Sequence, residues 1–402
     1  MAHKSTLLPV ALTAGLFSAL PLQAETFFEI SGKVAAELRG FTQDAQFEGQ
    51  DYDSNLSLIA EPELYWEWND GIDSVTFTPY LRVDENDSER THGDIRELSW
   101  VHVGDDWELR TGIRKVFWGV TEFQHLVDVI NQTDGVDDFD GEDKLGQPMI
   151  NLSLVRDWGI VDLFVLPGFR ERTFAGREGR PRAGLLVDTD AAQYESGDEE
   201  KHIDTAIRWS HTLGDFDVGA YWFHGTNRDP ELLVRNQNGQ TVLVPRYVQM
   251  DQVGIDLQAT LDSWLWKLET LWRDTDKEDY FAAQAGFEYT FYGIQDSAAD
   301  LGVLLEYGWD ERGEDASSNV QNDLFFGGRM TLNDADSTEL LAGVGYDLDY
   351  DSQSLIVEAS RRVGENWKVA LDGRFFSADD PKDVASAFDR DDHIQLTVER
   401  YF

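Results

Sequence analysis

Seven carboxylates crowd into a short stretch of the chain: Asp128, Asp134, Asp137, Asp138, Asp140, Glu142 and Asp143. Oxygen ligands at that density can attract a cation or coordinate one. A calcium-binding EF-hand would need Asp at its first ligand position and Glu at its twelfth. Set on Asp138-Phe139-Asp140-Gly141, those positions fall on Val136 and Gln147, so the motif fails at both ends. What remains is dense negative charge, which favours cations wherever low-dielectric walls confine the water around it. The alternative is a solvated external acidic loop.

Other chemistry finds little support. The chain has no cysteine, so disulfides, thiolate metal sites and a Cys nucleophile are excluded. Its eight histidines form no HExxH or comparable metal-ligand spacing, and no GxSxG elbow is present. A pair such as His211 and Ser210 arises by chance in a chain of 402 residues. No catalysis, metal or cofactor is therefore expected. With 77 acidic against 33 basic residues and a formal charge of −44, nucleic acid is also excluded as a partner, because a phosphate backbone calls for clustered Lys and Arg.

The elements that must position these residues read as strands. After residue 25 helical periodicity is nearly absent, and apolar/polar alternation recurs in segments of roughly ten residues, the length of a tilted transmembrane strand. From Trp264, one face carries Trp264, Trp266, Leu268, Thr270 and Trp272, and the other Leu265, Lys267, Glu269, Leu271 and Arg273. One face suits lipid, the other water. Short Gly- and Asp-containing connections alternate with long polar ones near 42–54, 85–94, 119–147, 171–200, 226–246, 310–320 and 377–391. This predicts an all-β fold, a transmembrane antiparallel up-and-down β-barrel of about 18 strands, with 16 as the alternative. Residues 1–24, with Lys4, an apolar middle and Ala24, have the layout of a signal peptide, which leaves 25–402 as the barrel. The protein is thus expected in the outer membrane of a Gram-negative cell.

In such a barrel the acidic stretch belongs to the third long connection, 119–147, whose part Glu122–Asn131 reads as helical. Inserted into the lumen, it would form a cation-favouring constriction. Arg82, Arg110 and Arg114, on strands before it, could face its carboxylates across the channel. The next loop opens with Arg170, Arg172, Arg177, Arg180 and Arg182, spaced to bind anionic groups of lipopolysaccharide or of a solute, or simply to be solvated. The expected partners are outer-membrane lipid, lipopolysaccharide and small hydrophilic solutes. A homotrimer is compatible with an apolar outer surface, since interface and lipid-facing patches have the same character.

The closing segment HIQLTVERYF alternates and ends on Phe402, which resembles the C-terminal signal read by the outer-membrane insertion machinery; Arg400 departs from that pattern. Ile95-Arg96-Glu97 through Trp107-Glu108-Leu109-Arg110-Thr111-Gly112-Ile113-Arg114-Lys115 to Trp118-Gly119 resembles the hairpin before the Trp-Gly turn in porin-like proteins of the DUF1302 and alginate-export kind. Asp128 and Asn131 resemble the Asp and Asn that often follow that turn. The resemblance implies a passive channel or exporter, although the acidic excess does not suit a polyanion such as alginate. The expected function is passive diffusion of small hydrophilic solutes. A barrel moving hydrophobic molecules, with an apolar track and a lateral opening, and a barrel lipid hydrolase are the alternatives.

Overall fold

The computed structural model describes residues 26–402 except 139, 238 and 317–319, so the expected signal peptide lies outside the described residues. Its strands are β1 (Phe27–Phe41), β2 (Ser54–Trp68), β3 (Asp73–Asp84), β4 (His92–Val103), β5 (Trp107–Arg114), β6 (Gln147–Arg156), β7 (Gly159–Pro167), β8 (Gln193–Tyr194), β9 (Ile203–Leu213), β10 (Phe216–Thr226), β11 (Glu231–Gln237), β12 (Gln240–Tyr247), β13 (Gln249–Leu261), β14 (Trp264–Thr275), β15 (Asp279–Phe291), β16 (Asp300–Asp310), β17 (Asn322–Thr331), β18 (Glu339–Asp347), β19 (Gln353–Val363), β20 (Trp367–Ser377) and β21 (His393–Tyr401).

Eighteen of these form one sheet in which each strand pairs antiparallel with its sequence neighbours in the ring, so the 16-strand alternative falls. The ring closes where β1 meets β21, in a register that sets Leu38 opposite Leu396 and Lys33 opposite Tyr401. The N–H of Phe402 donates to the Gly32 carbonyl at 3.1 Å beside this seam. Closure leaves no open strand edge in the barrel wall among the described residues, as a lipid surround requires. The remaining strands, β8, β11 and β12, make a small separate sheet that is not part of the ring.

The alternation read in the sequence sorts the two faces. On β14, Trp264, Trp266 and Trp272 are exposed on the outside, whereas Lys267, Glu269, Leu271 and Arg273 are buried on the inside. Outer rings cluster near one rim: Trp264 lies 5.1 Å from Phe287 and 4.7 Å from Tyr289. Aromatic girdles of this kind mark membrane–water interfaces.

One rim carries turns such as 69–72, 104–106 and 262–263, and the other carries the long loops. Three connections escape the sequence reading. The segments 276–278 and 348–352 are brief although they lie on the long-loop rim, and 292–299 is long for the turn rim. The third long connection spans 115–146 and holds no helix over Glu122–Asn131. The N–H groups of residues 120–123 and 127 are taken by two carboxylates of the barrel wall, which removes the pattern a helix would need.

A closed barrel of this size resists detergent unfolding until heated. Unboiled protein is expected to migrate differently from boiled protein on SDS gels, and a single position for both would contradict the barrel.

Candidate functional site

The segment 115–146 starts at β5 and is clipped at its base by the two residues that follow the Trp-Gly turn. Asn131 accepts from the Val116 N–H at 2.8 Å through Oδ1, while its Nδ2 donates to the carbonyls of Arg114 and Leu145 at 2.8 Å each. Asp128 accepts from the Trp118 N–H at 3.3 Å and pairs with Lys144 at 3.4 Å. Gly119 sits at φ +147°, where a Cβ would lie 3.1 Å from Glu269 Oε1, so both its conformation and its close approach call for glycine.

From that base the segment packs against the inner face of the wall. Trp118, Val127, Val129 and Ile130 form a buried cluster with Met149, Phe164, Leu166, Ala206, Tyr221, Phe223 and Met250, which come from β6, β7, β9, β10 and β13. Burying each of the larger side chains contributes roughly 1.5–3 kcal/mol. Where the segment covers it, the inner wall of this sector is apolar, while the same strands carry inward charge elsewhere, as in the Arg208–Asp256 pair at 2.8 Å.

Two carboxylates hold the far end. Glu269 on β14 is fully buried and accepts through Oε1 from the N–H groups of Val120 at 2.6 Å and Thr121 at 2.9 Å and from the Thr121 hydroxyl at 2.7 Å. Its Oε2 accepts from the Val127 N–H at 3.2 Å. Glu306 on β16 accepts from the N–H of Glu122 at 2.9 Å and of Phe123 at 3.2 Å, and from Gln284 at 2.8 Å. The Phe123 ring then stacks on Phe325 of β17, with centroids 4.9 Å apart and planes 11° from parallel. A Cβ on Gly343 would stand 2.8 Å from that ring, so the phenyl group rests on a bare glycine floor. In the ring of strands β17 stands diametrically opposite β5, so the segment reaches from one wall to the other.

The expected carboxylates divide into two sets. Asp134 and Asp137 are buried on the near side: Arg96 reaches Asp134 at 2.7 Å and also contacts Asp137, Arg82 reaches Asp137 at 2.8 Å, and the Tyr80 hydroxyl donates to Asp137 at 2.9 Å. Asp128 is buried as described. These three are structural anchors. His92, Asp134 and Asp137 do offer ligand atoms within 4.8 Å of one another. Both carboxylates are already engaged by guanidinium groups, however, so this trio does not fit a metal ion.

Asp138, Asp140, Glu142 and Asp143 form the second set. Arg39 of β1 approaches Asp138 at 3.4 Å. A single guanidinium nitrogen of Arg374, on β20, meets Asp140 at 3.2 Å, Glu358 at 2.8 Å and Asp372 at 3.1 Å. One cation thus serves three carboxylates. Poor solvation and the neighbouring Asp138 push Asp140 up to about 8, against the pull of Arg374. Poor solvation with Asp137 and Asp138 brings Asp143 up to about 6. His125 lies 3.4 Å from Glu142 and 3.9 Å from Glu269; although burial opposes its charge, hydrogen bonding to these two carboxylates lifts it to about 10. Arg329 of β17 holds Glu122 at 2.6 Å.

Among the basic residues expected in the lumen, only Arg82 meets the segment's carboxylates. Arg110 pairs with Glu108 on its own strand, and Arg114 lies 3.9 Å from Glu97. The expectation fails for these two because β5 ends at Arg114 and the chain moves off before turning back acidic. The arginines of the next loop are mostly engaged within the protein. Arg180 is buried against Asp391 at 2.7 Å and over the Phe41 ring, and Arg182 donates to backbone carbonyls such as Ala183 at 2.8 Å. Arg170 pairs with Asp94 at 2.9 Å and Arg172 lies 3.8 Å from Asp229. Arg177 alone of the five is exposed. Sequence reasoning gave no role to Glu306, Phe123 or Glu358; a carboxylate that caps backbone N–H groups, as Glu306 does, looks like any other inward acid.

No family model matches this chain, and no curated protein matches it. Among solved structures it is similar to a BenF-like porin from Pseudomonas fluorescens, with 8% identity, 94% of this chain and 98% of that chain covered, and a TM-score of 0.56. It is also similar to OccAB1 of Acinetobacter baumannii, at 9% identity, 94% and 96% coverage and a TM-score of 0.55. For OpdQ of Pseudomonas aeruginosa the values are 10%, 94%, 97% and 0.53. The fold of this chain is that of the porin-type 18-stranded outer-membrane barrels.

Proposed function

We propose that this protein is an outer-membrane channel for passive diffusion of small hydrophilic solutes, with segment 115–146 narrowing the bore and favouring cations. The observation that carries the reading is the docking of Phe123, Glu122 and Val120 on the wall opposite the strand from which the segment departs. The segment packs its apolar side chains on β6 to β13, which leaves the wider passage beside β15 to β20. There Glu142, at 52% side-chain exposure, and Glu358, at 45%, are the more exposed of the carboxylates described. Confined carboxylates of this kind draw cations and repel anions. The similar folds of a porin and of OccAB1 and OpdQ are in keeping with it.

In planar bilayers the purified protein is expected to give discrete conductance steps and a reversal potential of cation-selective sign in a salt gradient. Replacing Glu142 and Glu358 together by Gln is expected to bring that potential toward zero. Asp137 is unsuitable for this test, since its loss would break the Arg82 and Arg96 anchors. Silence of the folded protein would overturn the reading. A hydrophobic-molecule transporter is disfavoured, because the apolar inner cluster is covered by Trp118, Val127, Val129 and Ile130 and offers no track.

A further inference from the structure

A cavity of about 490 Å³ opens between the inner segment and the loops of the long-loop rim. Among the described residues, six Lys and Arg side chains and His125 line it against five carboxylates. Of these acids Asp140, pushed up to about 8, is mostly uncharged at neutral pH, while His125, lifted to about 10, is charged. The lining therefore carries a positive excess.

That excess is sharpest at Arg172 and Arg273, which share Asp229. Arg172 stands 3.8 Å from one oxygen of this carboxylate and Arg273 3.3 Å from the other, both longer than the roughly 2.7–2.9 Å of a charge-assisted hydrogen bond. The Arg172 guanidinium group donates no hydrogen bond among the described residues, and its Nε is buried without a partner. Arg273 directs Nε to Gln252 at 2.6 Å and Nη1 to Asn227 at 3.2 Å, which leaves Nη2 unbonded. Asp229 itself lies on a connecting loop with 53% side-chain exposure. Although its surroundings oppose its charge, Arg273 and Arg172 hold it below the usual carboxylate range. Two guanidinium forks thus face one loosely held anion.

An apolar floor begins beside Arg273. In the β14–β15 register Arg273 lies opposite Tyr280 and Leu271 opposite Ala282, and Leu271, Tyr280 and Ala282 pack with Leu126 of the segment. Side chains two residues apart on one face of a strand stand roughly 7 Å apart, so an anionic group at Arg273 sets the body attached to it over Leu271 and Ala282.

We propose that this cavity binds a small phosphate monoester with a flat apolar body, its phosphate held between Arg172 and Arg273 and its body on Leu126, Leu271 and Ala282. A carboxylate solute would exchange with Asp229 like for like, one charge for one. A phosphate monoester brings about twice that charge and three acceptor oxygens, enough to engage both forks at once. Leu271 and Arg273 lie on the inner face of β14, so the ester comes from solution rather than from a membrane lipid. The inference goes beyond the channel reading and does not depend on it, since binding can be measured whether or not the protein conducts.

Titration calorimetry on the full, detergent-solubilised barrel tests it with phenyl phosphate, phenyl sulfate, benzoate and inorganic phosphate in a phosphate-free buffer at about pH 7.5, where the ester is mostly a dianion. Phenyl phosphate is expected to bind at least about tenfold more tightly than phenyl sulfate and benzoate, which carry a single charge, and than inorganic phosphate, which lacks the ring. Arg172→Gln is expected to weaken phenyl phosphate about tenfold, and heat-modifiable migration of this variant verifies that its barrel has folded. Asp229→Asn, which frees both guanidinium groups from their shared anion, is expected to tighten phenyl phosphate about fivefold. Equal or tighter binding of phenyl sulfate or benzoate, no heat with phenyl phosphate at either of two temperatures, unchanged affinity in folded Arg172→Gln, or weaker binding in Asp229→Asn would each overturn the proposal. A barrel that binds phenyl phosphate and stays silent in bilayers would support this site and count against the channel alone.

Discussion

Replacing Glu269 and Glu306 together by Ala is expected to raise single-channel conductance roughly twofold or more, by releasing the far end of segment 115–146 from the wall. Glu269 alone satisfies three backbone N–H groups and one hydroxyl, and Glu306 two further N–H groups. Without them these donors stay buried and unpaired, at a cost of about 1–3 kcal/mol each, more than the stacking of Phe123 on Phe325 returns. The base, clipped by Asn131 and Asp128, keeps its place, so the segment swings rather than unfolds. The barrel itself is independent of these contacts, and heat-modifiable migration should persist. Glu269→Gln is the milder companion: its amide keeps an acceptor but puts a donor among the N–H groups, so noisier open-state current is expected. Unchanged conductance in both variants would show that the segment is not the narrow point.

Raising the pH from 6 to 9 is expected to increase the preference for K+ over Cl− about twofold, with most of the change near pH 8. Asp140 has been pushed up to about 8, so it is mainly protonated below that pH and gains its negative charge above it. The groups facing it are Asp138, Asp143, Asp372 and Glu358, with Arg374 as the shared cation. Arg374 stays charged throughout, and His125, lifted to about 10, loses its charge only later, so every change in the window adds negative charge. Asp140→Asn should remove the step near pH 8. The same shift fixes the sign for stability: a carboxyl group whose folded pKa is raised favours the folded arrangement while protonated, so that contribution is lost as pH rises from the ordinary 3.8 toward 8. A preference that falls with pH, or a step that survives in Asp140→Asn, would contradict this assignment.

The barrel was legible because its signal repeats: each strand independently sets apolar side chains toward lipid and polar ones inward, as on β14. The turn chemistry that placed Asn69-Asp70-Gly71 and Asp262-Ser263 is local in the same sense. Asp276-Lys277-Glu278 carries no Gly, Pro or Asn and passed unnoticed, although it also reverses the chain. The apolar inner cluster had one visible trace. In β7 the run Ile160-Val161-Asp162-Leu163-Phe164-Val165-Leu166 is apolar on both faces at its upper end, the mark of a strand covered on both sides. The division of the acidic segment into anchors and solvent-facing groups left no such trace. Asp137 and Asp138 are neighbours in sequence, yet one is locked by Arg82 and Arg96 and the other faces Arg39, a difference set by strands far away in the chain. The helix expected at Glu122–Asn131 failed for the same reason, since its N–H groups find partners on β14 and β16.

The absence of cysteine makes one measurement especially direct. A Glu142→Cys variant in a planar bilayer, treated with a positively charged methanethiosulfonate reagent, places a bulky cation at the narrowing proposed for the bore. The current through each open channel is expected to drop in a step as its thiol reacts, and cation preference should fall with it. A current that stays unchanged, with modification verified by mass, would contradict a segment lying across the passage.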